Sequence, residues 1–495
     1  MYLHELLVDY VVDASEQEGS SSMIPLDVEL LDMVADSRQI TQGCVFVAQK
    51  GLMVDARDYI SRAVDSGAVA VIYEQDGLSS AQSELIESLD IPSVAISGLN
   101  NEIGYLSAKF FNHPAEKMKV FGITGTNGKT SSAYLLTQSL QLLGHKAAFI
   151  GTIGVGQIGA LQPVTHTTAD SITLQRQFAE LVQQGYSHVC MEVSSHALDQ
   201  GRVNGVEFYA ALFTNLSHDH LDYHGSMEVY AAAKQRLFTD FSLKFAVTNC
   251  DDEFGVQLLD VASVEFMSSY GDAGDVRADD IRADKDGLVF TIDTDAFDFD
   301  VRSSLVGLIN VPNILLVVTT LLVLGVDVAD IQRLVPQLES APGRMEVFSQ
   351  DDSPVVVVDF AHTPDALERA LLSVREHCAG DLWCVFGCGG DRDRQKRPEM
   401  GAVVERCADA MVLTNDNPRS ETAATIFADI TQGMQRKATI IEDRGMAIEW
   451  AIKQAGPQDW ILVAGKGHEQ YQIIGNEKRD FSDRDWVVQC LGVAA

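Results

Sequence analysis

GITGTNGKT at 122–130 decides the fold. It stands between KVFGIT (119–124), which reads as a strand, and SSAYLLTQSLQLLG (131–144), which has the apolar spacing of a helix. Glycines in such a turn let backbone N–H groups close around phosphate oxygens, and the helix N-terminus adds partial positive charge. Lys129 can then reach the β and γ phosphates, and Thr130 can hold Mg²⁺. The spacing is GxxGxxGKT rather than the strict GxxxxGK[ST], because Ile123 stands where the first glycine would be. Every physical element is nevertheless present, so Gly125, Thr126, Asn127, Gly128, Lys129, Thr130 and Ser131 are expected to bind ATP.

Working outward, residues 30–97 alternate short apolar runs (CVFVAQ, AVAVIYE, IPSVAIS) with the helical DYISRAVDSG, as in a small α/β unit. Beyond the glycine turn come AAFIGTIG, HVCMEVSS, AALFTNLS and FAVTNCDD, read as strands. Between 271 and 300 there are ten Asp against two Arg and one Lys, and GLVFTIDTD alternates like a solvated antiparallel ribbon. Pro342 and Gly343 in SAPGRMEVF punctuate the chain before a third unit, in which SPVVVVDF, LWCVFGCGG, DAMVLTND, ATIIE and WILVAGKGHE alternate with helices. The expected fold is α/β with three domains, at 1–98, 99–341 and 342–495. The central one is a P-loop-type ATP-binding domain on a mostly parallel sheet, and the last is Rossmann-like. Ligands in such sheets bind at the carboxyl ends of the strands, here DFAHTPD, GCGGDRDRQKR, TNDNPRSE and AGKGHE.

The chain has 495 residues, 36 Lys plus Arg against 71 Asp plus Glu, and a net charge of −35. Such a charge repels nucleic acid and anionic membrane, so neither is expected as a partner. A small polyanion must be held locally, by oriented N–H groups, a few cations or Mg²⁺. The eight Cys form no CxxC pair, which points to reduced thiols and a cytoplasmic protein. MYLHELLVDYVVDASEQEG has no basic segment ahead of an apolar one, so no signal peptide is expected. ILLVVTTLLVLGV (314–326) is too short to span a bilayer and reads as a buried helix.

In MEVSSHALDQGR (191–202), Glu192 ends a strand where a second Mg²⁺ oxygen ligand is wanted. Ser194, Ser195 and His196 lack the GxSxG elbow of a serine hydrolase. TNLSHDHLDYHG (214–225) carries three His at a spacing loose for a transition metal. Mg²⁺ or phosphate contact by His220 is the favoured alternative. Lys234 lies in the helical MEVYAAAKQRLF, where a lysine is ordinarily solvated. GGDRDRQKR and DNPR each put an Arg beside acids in a strand-end loop, and two such forks could grip a small molecule with several carboxylates.

Together GITGTNGKT, MEVSSH, TNLSHDHLDYHG, YAAAK, GLINVPN, PGRMEV, DFAHTPDAL, GCGGDRDRQKRP, DNPR and AGKGHE resemble the blocks of the Mur ligase family over nearly the whole chain. These are ATP-dependent amide-forming enzymes of peptidoglycan precursor synthesis. DNPR resembles the form found where meso-2,6-diaminopimelate is added to UDP-N-acetylmuramoyl-L-alanyl-D-glutamate. The resemblance implies that Ser37, Leu52, Met53 and Val54 hold the UDP part. It gives the muramoyl dipeptide to His166, Thr167, Thr168, Ser194, Gln200 and Arg202. Asn310 and Asn313 would lie near adenine, with Arg344 and His362 near the nucleotide in a closed state. Diaminopimelate falls to Arg392, Asp416, Asn417, Pro418, Arg419, Gly465 and Glu469. Lys234 would be carbamylated and join Thr130 and Glu192 on Mg²⁺, with Lys129, Glu192, Lys234 and His220 as the catalytic set in a monomeric enzyme. Two positions depart from the family pattern: His166 stands where Asn is frequent, and SETAA follows DNPR in place of an acid-then-Pro run.

Overall fold

The computed structural model describes residues 1–10, 27–51, 54–164 and 166–493. They gather into two compact units, one of 1–126, 145–246 and 257–267, the other of 127–144, 247–256 and 268–495.

The first unit opens with a parallel sheet of β1 (Asp32–Val34), β2 (Cys44–Ala48), β3 (Ala70–Glu74) and β4 (Ser93–Ile96), in that order. Every residue of β2 is buried, as an apolar run sandwiched between helices must be. Glu74 ends β3 and caps the helix that follows β4, Leu99–Phe110, accepting the N–H of Gly98 at 3.1 Å and of Leu99 at 2.8 Å. A second sheet follows, built from β5 (Lys119–Thr124), β6 (Ala147–Gly151), β7 (Gly154–Gly156), β8 (His188–Glu192), β9 (Phe208–Phe213), β10 (Leu243–Asn249) and β11 (Val264–Tyr270). Its spatial order is β11-β10-β9-β5-β8-β6-β7, and β5 pairs in parallel with both β8 and β9.

One expected strand is two. AAFIGTIG doubles back, β6 pairing antiparallel with β7 from Gly151 to Gly154. Gly154 adopts φ 144°, a conformation open to glycine, and a β-carbon on Gly151 would stand 2.2 Å from Glu192 Oε1. The reversal therefore leaves room for the Glu192 carboxylate.

In the second unit, β12 (Val276–Asp284), β13 (Gly287–Thr294) and β14 (Asp298–Ser303) form the antiparallel ribbon. It is solvated on one face only, since Leu288, Phe290, Ile292, Phe299 and Val301 are buried. The apolar run after Asn313 lies in a helix, Asn310–Val323, whose residues 314–321 are all buried. No helix among the described residues is long and apolar enough to cross a membrane. The last sheet contains β15 (Glu346–Phe348), β16 (Val355–Asp359), β17 (Leu382–Phe386), β18 (Ala410–Leu413), β19 (Thr439–Ile440) and β20 (Trp460–Ala464), in the order β15-β16-β20-β17-β18-β19. All its pairings except β15–β16 are parallel, so the loops after β16, β17, β18 and β20 emerge at one edge. A hairpin that the sequence reading did not anticipate follows, β21 (Tyr471–Ile474) and β22 (Glu477–Asp480). Gly475 at φ 60° opens its two-residue turn.

Beneath that edge Arg444 and Asp483 form a fully buried ion pair with two 2.7 Å contacts, and Arg444 also donates to Asn415 O and Ala464 O. Asp483→Ala would strand the guanidinium, a loss of about 3–5 kcal/mol. Denaturant unfolding followed by tryptophan fluorescence should show that loss. An unchanged midpoint would mean that the pair contributes nothing net.

Candidate active site

In the first unit, β5 ends in a turn that must pass close to the end of β9. A β-carbon on Gly125, at φ 147°, would fall 1.9 Å from Thr214 Oγ1 and 2.9 Å from Asn215 O. Thr126 donates its N–H to Asn215 O at 2.7 Å, and its hydroxyl meets Ser217 O and Tyr230 OH, each at 3.2 Å. Lys234, on the helix Met227–Thr239, donates from Nζ to Gly125 O at 2.7 Å, with the Tyr230 ring 4.4 Å away. It is 1% exposed, so the solvated reading of this lysine is wrong. The reason is helical spacing, which puts Tyr230, Ala233, Lys234, Leu237 and Phe238 on the buried face.

Glu192, at the end of β8, is 1% exposed and accepts from Thr152 N at 2.7 Å and Thr152 Oγ1 at 3.3 Å. Thr152 also meets Thr167, Oγ1 to Oγ1, at 3.0 Å. Thr168 Oγ1 donates to Glu192 O at 2.9 Å and accepts from Ser194 N at 3.1 Å. Arg202 reaches Thr168 O at 3.1 Å and takes Gln200 Oε1 from Nε at 2.9 Å, while Gln200 donates to Tyr223 OH at 3.0 Å. Burial lowers the Arg202 pKa, so an anion here would relieve a desolvated cation. Five of the six residues expected at the dipeptide thus form one network with Glu192. The sixth, His166, is exposed beside them in sequence.

Ser194 caps the helix Ser195–Asp199 and accepts from Ala197 N at 3.1 Å, a structural employment for the hydroxyl. His196 packs against His220, Tyr223 and His224, with ring centroids 4.9, 4.2 and 5.4 Å away. Burial first, then repulsion from His220 and His224, pushes the His196 pKa down to about 4, so it is neutral at pH 7. His220 has φ 54° and stands ahead of the helix Leu221–His224. Among the described residues no group of three or more His, Cys, Asp or Glu is placed to hold a metal ion. Ser37 is buried and Val54 exposed, while Leu52 and Met53 lie outside the described residues.

In the second unit the glycine turn leads into the helix Lys129–Leu142, with Gly128 at φ 83° and Thr130 buried. Ser132, one turn in, donates to Asn313 Oδ1 at 3.2 Å, and Asn313 donates to Asn310 Oδ1 at 3.1 Å. Arg344 lies over the Phe360 ring at 4.5 Å, and the His362 ring packs against the same phenyl group at 4.7 Å.

The three remaining loops meet at the carboxyl edge of the last sheet. A β-carbon on Gly389 would stand 3.0 Å from Arg419 Nη1 and 3.6 Å from Arg392 Cγ, so the two arginines flank one glycine. Arg419 is held at φ 51°, unusual for a side chain of this size. Its N–H bonds to Ile473 O at 3.0 Å, its carbonyl accepts from Gly475 N at 2.8 Å, and Nη1 donates to Gly390 O at 2.8 Å. Asn417 donates to Glu469 Oε2 at 3.0 Å, and the same carboxylate takes Lys466 Nζ at 2.7 Å. Gly465 leaves room for Asp416, whose Oδ2 would be 2.8 Å from a β-carbon there. Pro418 supplies a carbonyl that a β-carbon on Gly390 would strike at 1.9 Å.

SETAA supports this loop directly. Ser420 Oγ donates to Asp391 Oδ1 at 2.6 Å, and Glu421 takes buried Arg397 at 2.7 Å and Asp391 N at 2.7 Å. The Arg397 guanidinium holds the Glu421 carboxyl down to about 2. Sequence reasoning did not single out Thr152, Tyr223, Tyr230, Glu421, Lys466 or Gln472. All but Gln472 lie inside segments quoted above, Thr152 in AAFIGTIG, Tyr223 in TNLSHDHLDYHG, Tyr230 in MEVYAAAKQRLF, Glu421 in SETAA and Lys466 in AGKGHE, but no spacing marked them out.

Comparison with known proteins agrees with this architecture. Family models match at 32–116 (Mur ligase family, catalytic domain), 123–321 (Mur ligase middle domain) and 343–467 (Mur ligase, glutamate ligase domain). The chain is 47% identical over 455 residues to the UDP-N-acetylmuramoyl-L-alanyl-D-glutamate--2,6-diaminopimelate ligase of Chromobacterium violaceum, covering 91% of this chain and 92% of that protein. It is 44% identical over 473 residues to the enzyme of the same name from Haemophilus influenzae, covering 94% and 97%. A solved structure of a ligase of that name matches with a TM-score of 0.71 at 32% identity, over 99% of each chain. With three family domains in order and relatives this similar over nearly its full length, the chain belongs to the Mur ligase family.

Proposed function

We propose that this enzyme joins meso-2,6-diaminopimelate to UDP-N-acetylmuramoyl-L-alanyl-D-glutamate, with conversion of ATP to ADP and phosphate. The observation that carries the choice of amine is the pair Arg392 and Arg419 flanking Gly389, beside Asp416, Asn417 and Glu469. Diaminopimelate is a zwitterion with a carboxylate at each end, and in a chain of charge −35 the far carboxylate needs its own cation. The close relatives bear the name of this activity.

In this reading, units 1–98, 99–341 and 342–495 bring the nucleotide precursor, ATP and the amine, in a cytoplasmic monomer. The γ-carboxylate of D-Glu attacks the γ-phosphate, ADP leaves, and the acyl phosphate is attacked by the amine, giving amide and phosphate. The N–H groups of Gly125–Thr130 and the Lys129 ammonium hold the phosphates and offset charge on the transferring group. Thr168, Gln200 and Arg202 orient the dipeptide, and neutral His196 packs behind His220 without adding charge.

The Thr130 hydroxyl, the buried Glu192 carboxylate and a carbamate on Lys234 would each offer Mg²⁺ an oxygen, the donor type it prefers, and the ion would neutralise phosphate charge. Burial of Lys234 supports this reading, because an ammonium at 1% exposure is costly whereas its carbamate is an anion with a purpose.

Three outcomes test these roles. Lys129→Ala should reduce amide formation at least roughly a hundredfold, on the order of 3 kcal/mol, in a folded protein. Near-normal turnover would remove the phosphate role. Lys234→Ala should be nearly inactive and recover in part when a short-chain carboxylic acid is added, whereas full activity without it would dispose of the carbamate. Arg419→Ala should raise the KM for diaminopimelate about 30-fold or more, leaving those for ATP and the dipeptide little changed. Equal losses on all three substrates would mean that Arg419 supports the loop rather than the amine.

A further inference from the structure

The helix Asn310–Val323 is entered through a loop that side chains from the next domain hold. Gly307, at φ 89°, donates its N–H to His377 Nε2 at 2.8 Å, and His377 Nδ1 faces Asp284 O at 2.6 Å. An N–H pointing at Nε2 requires a lone pair there, so the proton sits on Nδ1 and points at the Asp284 carbonyl. This geometry admits one species, the neutral Nδ1–H tautomer. The ring is buried and stacks on Trp460 with centroids 5.6 Å apart. Ser373, one turn earlier, accepts the N–H of Ile309 at 3.3 Å. Gly307 is pressed into this seat, since a β-carbon on it would stand 2.9 Å from Met345 Cε and 3.0 Å from Ser373 Cβ.

From the same loop a buried polar chain runs to the phosphate-loop helix. Asn310 Nδ2 donates to Val306 O at 2.8 Å, Asn313 Nδ2 to Asn310 Oδ1 at 3.1 Å, and Ser132 Oγ to Asn313 Oδ1 at 3.2 Å. Asn310, Asn313 and Ser132 are all buried, so the positions of their amide and hydroxyl groups depend on one another. The loop falls within the stretch matched by the middle-domain model, and Ser373 and His377 within that of the following domain.

We propose that His377, assisted by Ser373, is a positioning residue for the nucleotide: from the third domain it fixes the loop that aims Asn310 and Asn313. The inference rests on the reading that these two asparagines lie against adenine. His377 touches no substrate and acts through Gly307. It gives the domain that supplies the amine a hold on nucleotide affinity, independent of Arg344.

The test is ADP affinity by titration calorimetry on the full chain, together with the KM for each substrate. His377→Phe keeps a ring against Trp460 but leaves the Gly307 N–H without an acceptor. It should weaken ADP binding and raise the KM for ATP roughly five- to a hundredfold, sparing the KM for dipeptide and amine. His377→Gln restores an acceptor and should lie within about threefold of wild type. Ser373→Ala, a milder change that keeps the assay informative if His377→Phe folds poorly, should weaken ADP by a smaller factor. Unchanged ADP affinity in a folded His377→Phe, or equal losses on all substrates in both His377 variants, would overturn the proposal. Asn313→Ala separates the two ideas. If it leaves ADP binding intact, the adenine reading is at fault; if it weakens ADP while His377→Phe does not, only the positioning role falls.

Discussion

Gly125 has no room for a β-carbon, and much of the site is arranged around that fact. Its backbone lies against Thr214 and Asn215 at the end of a neighbouring strand, and its carbonyl accepts a hydrogen bond from Lys234 Nζ. Thr126, next in the chain, is fixed by Asn215, Ser217 and Tyr230. One close approach therefore aligns the glycine turn, the histidine-bearing segment and the helix of the buried lysine. Any residue larger than glycine would have to push these elements apart.

A second regularity concerns four buried basic side chains of this very acidic protein. Arg57 donates to Glu74 O, Asp76 O and Gly77 O after β3, and Lys234 to Gly125 O after β5. Arg397 donates to Gly389 O after β17, and Arg444 to Asn415 O and Ala464 O after β18 and β20. All four are buried. Each lies at the carboxyl end of a parallel strand, where ligands bind in sheets of this kind. The three arginines also pair with carboxylates, those of Asp55, Glu421 and Asp483, and a loop fixed in this way before any ligand arrives leaves less ordering to be done on binding.

The fold was legible where chemistry is local. Apolar runs ending in glycine and polar residues marked the parallel strands, and the GKT turn marked a junction between a strand and a helix, where the structure has one. The loops after β17, β18 and β20 could be expected at one edge because a parallel sheet brings its strand ends to one side. What escaped is long-range. Burial of Lys234 depends on which face of its helix turns inward, and the reversal inside AAFIGTIG on the space that Glu192 needs. Glu421 and Gln472 matter through Arg397 and through the carbonyls of Asn415 and Asp416, partners 24 and 56 or 57 positions away. No local spacing encodes such pairs.

The most direct test is of amide formation with diaminopimelate. Purified protein should be incubated with ATP, Mg²⁺, the UDP-muramoyl dipeptide and, separately, meso-diaminopimelate or L-lysine, and the products weighed by mass spectrometry. The account predicts one product, the dipeptide extended by diaminopimelate, in step with ADP formation, and little or none with lysine. Equal extension by lysine, or ADP released with no amide, would contradict it.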